Sequence, residues 1–341
     1  MLKVYRGPQA AAMSCFMDKG KMGGETGGFG LLKKLQRKFS RPQKLESRLS
    51  RAVQLRERPQ STPKRYLCVA AIFRNEAPYL VEWIEFHRLV GVEHMYLYDH
   101  GSSDRPVERL EPYIQQGFVT LIPWSTFHTS FTPQLLQAAH AITTFGPNYR
   151  WMALIDVDEF VFPTEDASLF KTMTQFEDLP AVAVPWIMFG FSGHESKPEG
   201  LVIENYTMRA PFPPPLERKS IFKWKSILNP AEIVAVHSPH SYEFRSGEIG
   251  GGWDENRQFL SENTRYDVCR TANVLRLNHY TTRSKAEFES KMTAPSAMLT
   301  SEFILQRRRQ KFGHLCNLDN FSDKAILRFA GSLRANLGLD A

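Results

Sequence analysis

One stretch limits the fold of this chain more than any other: Arg150-Trp151-Met152-Ala153-Leu154-Ile155-Asp156-Val157-Asp158-Glu159-Phe160-Val161-Phe162-Pro163. Trp151 to Ile155 has the length and the apolar content of a buried strand. Three acids then fall within four positions, and Phe160, Val161, Phe162 and Pro163 follow at once. Carboxylates are costly to bury unpaired, so a fold that places them here must supply a compensating positive charge. Read as a continuing strand, the period of two sends Asp156 and Asp158 to one side and Val157 to the other, into the core. Two hard oxygen ligands at a strand end suit Mg²⁺ or Mn²⁺, with water and phosphate completing the shell. A polar strand end followed by a helix cap is the plainer alternative. The apolar segments on both sides favour the metal.

From Arg65 onward the pattern is that of a folded α/β domain. Tyr66–Phe73 reads as a strand stopped by Arg74-Asn75-Glu76, and Tyr79, Leu80, Trp83, Ile84, Phe86, His87 and Val90 trace a helix ending near Gly91. Further strands are expected at His94–Tyr98, Phe118–Ile122 and Trp151–Ile155, with helices at Pro106–Gln116 and Gln134–Phe145 between them. Such alternation implies parallel β-α-β units, whose ligands sit beyond the carboxyl ends of the strands. Three of these strands end in polar loops: Arg74–Glu76, Asp99–Asp104 and Asp156–Glu159. Their shared polarity points to one nucleotide- and metal-binding edge, although three ordinary turns would look alike.

The charge of +7 is unevenly distributed. Residues 1–65 hold 16 Lys and Arg against 4 Asp and Glu, and the rest holds 27 against 32. The folded part is therefore mildly acidic, which argues against a nucleic-acid partner. Residues 1–64 read as a basic extension, Gly-rich and disordered at first. Between Leu31 and Arg58, apolar residues at roughly helical spacing, Val53 among them, are interrupted by Pro42. Two short amphipathic helices touching an anionic membrane surface are one reading, and a solvated helix is the other. No apolar run approaches the ~20 residues that cross a bilayer. Cys15, Cys68, Cys269 and Cys316 lie far apart in no Cys-x-x-Cys pair, the pattern of free thiols. The expected location is cytoplasmic, with a peripheral contact at the inner membrane face.

In the second half, Leu179–Ile187 reads as a strand followed by a Gly-containing loop, and Trp186, Phe189, Gly190 and Phe191 offer a surface on which an acceptor sugar would stack. Core aromatics plus a turn is the alternative. Lys219–Trp224 reads as a basic-aromatic strand, with Lys219 and Lys223 able to meet phosphate or simply to guard a sheet edge. His237 falls at a strand end. A helix from Ser284 to Met298, capped by its serine, brings Lys291 toward the phosphates. Amphipathic helices at Ser301–Phe312 and Ser322–Leu337 complete a C-terminal segment, 296–341, that packs on the domain.

Four stretches in order carry a family resemblance. They are Phe73-Arg74-Asn75-Glu76 with Glu82-Trp83-Ile84-Glu85-Phe86-His87; Tyr98-Asp99-His100-Gly101-Ser102-Ser103-Asp104; Ile155 to Phe160; and Lys219-Ser220-Ile221-Phe222 with Leu277-Asn278-His279-Tyr280 and Ser284. Together they resemble glycosyltransferase family 92 and its bacterial relatives filed with family 2, enzymes of the GT-A fold. His100 departs from the pattern, where relatives often carry a smaller amide or an acid. The resemblance implies a GT-A domain over residues 65–295: a Rossmann-like nucleotide-sugar-binding α/β fold with a mixed, mainly parallel sheet flanked by helices.

It further implies that Arg74, Asn75, Glu76 and Asp99 line the base and ribose of a UDP- or GDP-sugar donor, with Lys219 and Lys291 at its phosphates. Asp156 and Asp158 would hold Mn²⁺ or Mg²⁺ at the diphosphate. A histidine from the second half would complete the shell, His237 first and His279 second. The implied reaction is an inverting transfer to a hydroxyl of a glycan or glycolipid, in polysaccharide biosynthesis. The base that takes the proton is expected at Glu217 or Asp254, ahead of Glu159 and Glu195, because both follow loops able to close over substrate. A nucleotidyltransferase would want a glycine-rich loop after the first strand, which Phe73–Glu76 lacks. A non-catalytic carbohydrate- or membrane-surface-binding protein on the same fold is the other alternative.

Overall fold

The computed structural model describes residues 52–56, 62–124, 131–215, 223–261, 270–293, 315 and 317–339. In chain order the first half runs β1 (Val53–Gln54), β2 (Arg65–Phe73), α1 (Ala77–Leu89), β3 (His94–Asp99), α2 (Pro106–Gln115), β4 (Val119–Pro123), α3 (Pro133–Thr144), β5 (Tyr149–Leu154) and β6 (Glu159–Pro163). Then come α4 (Leu169–Met173), β7 (Ala181–Met188), α5 (Val202–Asn205), β8 (Met208–Arg209), β9 (Trp224–Leu228), β10 (Ile233–Ser238) and β11 (Ser241–Phe244). The remainder is β12 (Ile249–Gly250), β13 (Gly252–Trp253), β14 (Phe259–Leu260), β15 (Leu275–His279), α6 (Lys285–Thr293), β16 (Phe321–Ser322) and α7 (Ala330–Asn336).

The central strands are apolar on both faces, as a sheet covered on both sides requires. Along β2, Leu67, Val69, Ala71 and Phe73 enter one core while Cys68 and Ala70 enter the other. β5 repeats the alternation, with Trp151 and Ala153 opposite Met152 and Leu154. The first core is closed by α1, α2 and the C-terminal residues Ile326, Phe329 and Leu333. The second is closed by α3 and by the small sheet ordered β1-β10-β11-β12.

Strands β5, β2, β3 and β4 lie side by side and parallel, so the alternation in the sequence translates into the expected β-α-β units. Past β5 the direction changes: β9 runs antiparallel to both β5 and β7. β15 enters between β7, to which it is parallel, and β6, to which it is antiparallel. The result is the mixed α/β sheet flanked by helices that the sequence implies.

Two local expectations are corrected. Val53 does not continue a basic helix; it is buried in β1, which pairs with Val236 and Ala235 of β10, so part of the extension joins the folded body. The acids do not prolong a strand: β5 stops at Leu154, and Asp156 to Asp158 form a turn closed by the Glu159 amide donating to the Asp156 carbonyl at 3.0 Å. Val157 is nevertheless buried, so the inward valine survives a different backbone.

Candidate active site

The acid turn leads from β5 to β6 beside the carboxyl end of β2. Beyond these ends opens a cleft of about 300 Å³, lined in part by Arg74, Glu76, His100, Asp156, Asp158 and Lys291. Asp156 and Asp158 thus share one cavity, as their spacing suggests.

Each acid has its own countercharge. Asp156 accepts from Lys225 Nζ at 2.9 Å and from Gln134 Nε2, on the first turn of α3, at 2.8 Å. Lys225 sits in β9 with a side chain 3% exposed, and its Nζ is also 3.8 Å from Glu159. Burial opposes its charge, but Asp156 and Glu159 outweigh burial and raise the ammonium above its usual value. Asp158 accepts from Lys291 Nζ at 3.0 Å, and its other oxygen lies 3.3 Å from His279 Nε2. Burial would lift the Asp158 carboxyl; Lys291 and His279 together hold it well below the usual carboxylate range.

Glu159 is fully buried. Burial pushes its carboxyl well above its usual range, against the pull of Lys225, while one oxygen accepts from the Asp156 amide at 2.8 Å. Its other oxygen and His279 Nδ1 are both buried without a hydrogen-bond partner, 4.0 Å apart. Burial lowers the His279 pKa despite Asp158, favouring the neutral imidazole that a metal needs. One ligand atom from each of Asp158, Glu159 and His279 lies within 4.8 Å of the others. The Asp158 carboxylate beside a neutral imidazole is a donor set that fits Mn²⁺ or, with waters making up most of the shell, Mg²⁺.

The two histidines expected from the sequence part company. His279 ends β15, opposite Glu159 in the register with β6, and so reaches the acids. His237 ends up in the small sheet, 3.2 Å from Glu243, and does not line the cleft. Lys291 is brought to the site by α6, whose start has the reciprocal bonds of a capping box: the Glu287 amide to Ser284 Oγ at 3.4 Å and the Ser284 amide to Glu287 at 3.2 Å.

Of the loop residues expected at the donor, Arg74 and Glu76 line the cleft, Glu76 pairing with Arg283 at 2.7 Å. Asn75 and Asp99 instead knit loops together. Asn75 adopts φ 57°, and its side chain accepts from the Ser103 amide at 2.8 Å; Asp99 accepts from the Ser102 amide at 2.8 Å. His100 is at the cleft with its Nδ1 3.0 Å from the Trp124 carbonyl. That carbonyl can only accept, so Nδ1 carries the proton.

The expected acceptor surface is largely interior. Phe189 is fully buried against Tyr280, with ring centroids 4.9 Å apart, and cannot stack on a sugar. A Cβ at Gly190 would meet Asp319 at 2.1 Å and Leu318 at 3.0 Å, so the C-terminal segment covers that glycine. Phe191 packs on Phe288 at 5.8 Å. Trp186, partly exposed and 4.5 Å from the His279 ring, is the member beside the acids.

The base candidates are dispersed. Asp254 is buried and accepts from the Asn256 and Gln258 amides, both at 2.9 Å, which makes it the anchor of its own hairpin. Its loop is packed rather than free to close: a Cβ on Gly251 would lie 1.6 Å from Trp224 Nε1. Glu195 is exposed and pairs with Lys285 at 3.0 Å. Glu217 and Lys219 lie outside the described residues.

Sequence reading missed Lys225, Gln134 and Arg283. Lys225 had a signal, a lone cation in the apolar run Trp224–Leu228 that a buried strand must neutralise. Arg283 adopts φ 49° and lies 3.4 Å over the Tyr79 ring, and nothing local in the sequence announces that.

By fold and site, this is an α/β protein whose charged cleft lies beyond the carboxyl ends of parallel strands, with an acid turn on its rim. The chain belongs to glycosyltransferase family 92, whose sequence model matches residues 64–312. It is similar to a glycosyltransferase family 92 protein of Arabidopsis thaliana, 28% identical over 198 residues, covering 54% of this chain and 32% of that one. A galactan β-1,4-galactosyltransferase of the same plant is 28% identical over 118 residues, covering 33% of this chain and 23% of the other. The chain thus spans about a third or less of the length of these curated relatives. Among solved structures, S. aureus TarS 1–349 in complex with UDP overlays with a TM-score of 0.30 at 14% identity, covering 49% of this chain and 47% of that one.

Proposed function

We propose that this chain is a metal-dependent glycosyltransferase, moving a sugar from a UDP- or GDP-sugar to a hydroxyl of a glycan or glycolipid with inversion at the anomeric carbon. The observation that carries the reading is the convergence of His279 and Lys291 on Asp158 at the rim of the cleft. Family membership supports the reaction class. Asp158 and His279 would hold Mn²⁺ or Mg²⁺, which when bound supplies positive charge against that developing on the diphosphate leaving group.

The chain's own residues divide the remaining work. Lys291, paired with Asp158 and half exposed, adds a cation for phosphate, and Arg74 and Glu76 border the space for the nucleoside. Asp156, expected beside Asp158 as a metal ligand, lies outside the group of convergent ligand atoms; clamped by Lys225 and Gln134, it fixes the turn from which Asp158 projects. Trp186 offers a ring face for a sugar. The acceptor oxygen forms its bond to the anomeric carbon as the bond to phosphate breaks, and its proton passes to a carboxylate, for which Glu217 is the proposed group. The basic segment before residue 52 is proposed to touch an anionic membrane surface on the cytoplasmic side.

Thermal unfolding with UDP and GDP, each with and without Mn²⁺, tests the core of the proposal. One nucleotide should stabilise the protein only when Mn²⁺ is present, and Asp158→Ala should abolish that shift while its far-UV circular dichroism stays native. Indifference to both nucleotides under all conditions would point to a binding module instead.

A further inference from the structure

β6 follows the acid turn directly and, among the described residues, has a sheet partner on one edge alone. Asp158 O accepts from the Tyr280 amide at 2.8 Å, so alternate residues from Asp158 onward face β15. The groups on Glu159 and Val161 therefore face the other edge, where no strand pairs with them among the described residues. Buried backbone groups left without partners would be costly there.

A helix fills the gap. Trp83 Nε1 donates to the Glu159 carbonyl at 2.7 Å, and the Val161 amide donates to His87 Nε2 at 3.3 Å. Trp83 and His87 lie four residues apart on α1 and so share one face. The two bonds fall at strand positions two apart, the repeat at which a neighbouring strand would bond. His87 Nδ1 lies 2.8 Å from the Trp83 carbonyl, which can only accept. Nδ1 therefore bears the proton, and Nε2 is free to accept from Val161. Both side chains are fully buried, and Phe86 between them packs on Phe160 and Phe162.

We infer that Trp83 and His87 are positioning residues, a surrogate strand that fixes β6 and with it the acid turn. The inference deepens the metal-site reading and rests on it for its consequence at Asp158; the bracing of β6 can be measured without any metal. Residues that orient a metal's ligands from behind typically change its affinity by about 10- to 100-fold when removed.

Two measurements on the full chain separate the possibilities: amide exchange of Val161 in metal-free protein, and Mn²⁺ affinity from the spin-resonance signal of the free ion. His87→Leu should speed Val161 exchange and raise the Mn²⁺ dissociation constant, each by about tenfold or more. His87→Gln, which can place an acceptor near the position of Nε2, should restore both to within about threefold. Val236→Ala, a cavity in the opposite core, should alter neither. If His87→Leu does not fold, Trp83→Phe keeps an aromatic side chain on α1 while removing the indole donor, and should show the same two changes. Native Val161 exchange in His87→Leu overturns the brace, as does an equal loss of Mn²⁺ affinity in Val236→Ala. Wild-type Mn²⁺ affinity in Asp158→Asn overturns the metal reading instead, and the exchange data then decide the brace alone.

Discussion

Lys225→Met is the most searching single perturbation of this site. Methionine keeps most of the lysine stem and removes a cation whose side chain is 3% exposed, 2.9 Å from Asp156 and 3.8 Å from Glu159. Breaking a buried ion pair by deleting one partner typically costs about 3–5 kcal/mol, because the other charge stays behind. One feature places this case at the lower end: the Asp156 side chain is 31% exposed and can be rehydrated. The expected loss is about 3 kcal/mol, which in a chain of this size lowers Tm by roughly 4–5 °C.

Urea unfolding of wild type, Lys225→Met, Asp156→Asn and the double variant measures the cycle. Once Asp156 is neutral the lysine has less to balance, so the double variant should be more stable than the sum of the singles predicts, by at least about 1 kcal/mol. A Lys225→Met protein within about 1 kcal/mol of wild type, or an additive cycle, would refute the claim that this lysine holds the acid turn.

Three further outcomes are expected. Gly251→Ala would set a Cβ against the rigid Trp224 indole, whose Nε1 donates to the His240 carbonyl at 3.0 Å, and overpacking of that kind costs about 1–3 kcal/mol or more; a lowered Tm and altered tryptophan emission would show it. Burial lowers the His87 pKa to about 4, so the unfolded chain binds the extra proton first, and stability is present above the unfolded pKa near 6.5 and lost as pH falls toward 4. Wild type should therefore lose about 3 kcal/mol relative to His87→Gln over that window, and parallel pH profiles would contradict it. Gly190→Ala would clash with Asp319 and Leu318, loosening the C-terminal segment, with faster proteolysis at residues 318–323 as the readout.

Much of the fold was legible because its signals are local. β2, β3 and β5 announce themselves through continuous apolar runs and polar stops, and α1 through its apolar face, all within a few residues of chain. β1 escaped because two residues carry no period, and only the β10 edge makes a strand of Val53. The turn at Asp156 was misread as strand for a related reason. Apolar residues on both sides of the acids look alike whether the chain runs straight on or reverses, and the pairing of β6 with β15 decides between them. The acceptor surface failed because aromatic side chains beside a glycine serve a core as well as a sugar, and Phe189 and Gly190 went to the core.

The two histidines show most clearly where local signals end. His237 and His279 each close an apolar strand, and neither has a neighbour in sequence that marks it as a ligand. What separates them is sheet order. β15 inserts between β6 and β7 in a register that sets His279 opposite Glu159, whereas β10 joins a different sheet and meets Glu243. The acid turn itself demands such distant help. Its charges are balanced by Lys225 from β9 and Lys291 from α6, and by the residue order neither lies within 65 positions of Asp156. A site built this way leaves its anionic half in one readable motif and its cationic half scattered, so the acids point to where the cations must converge but cannot say which they are.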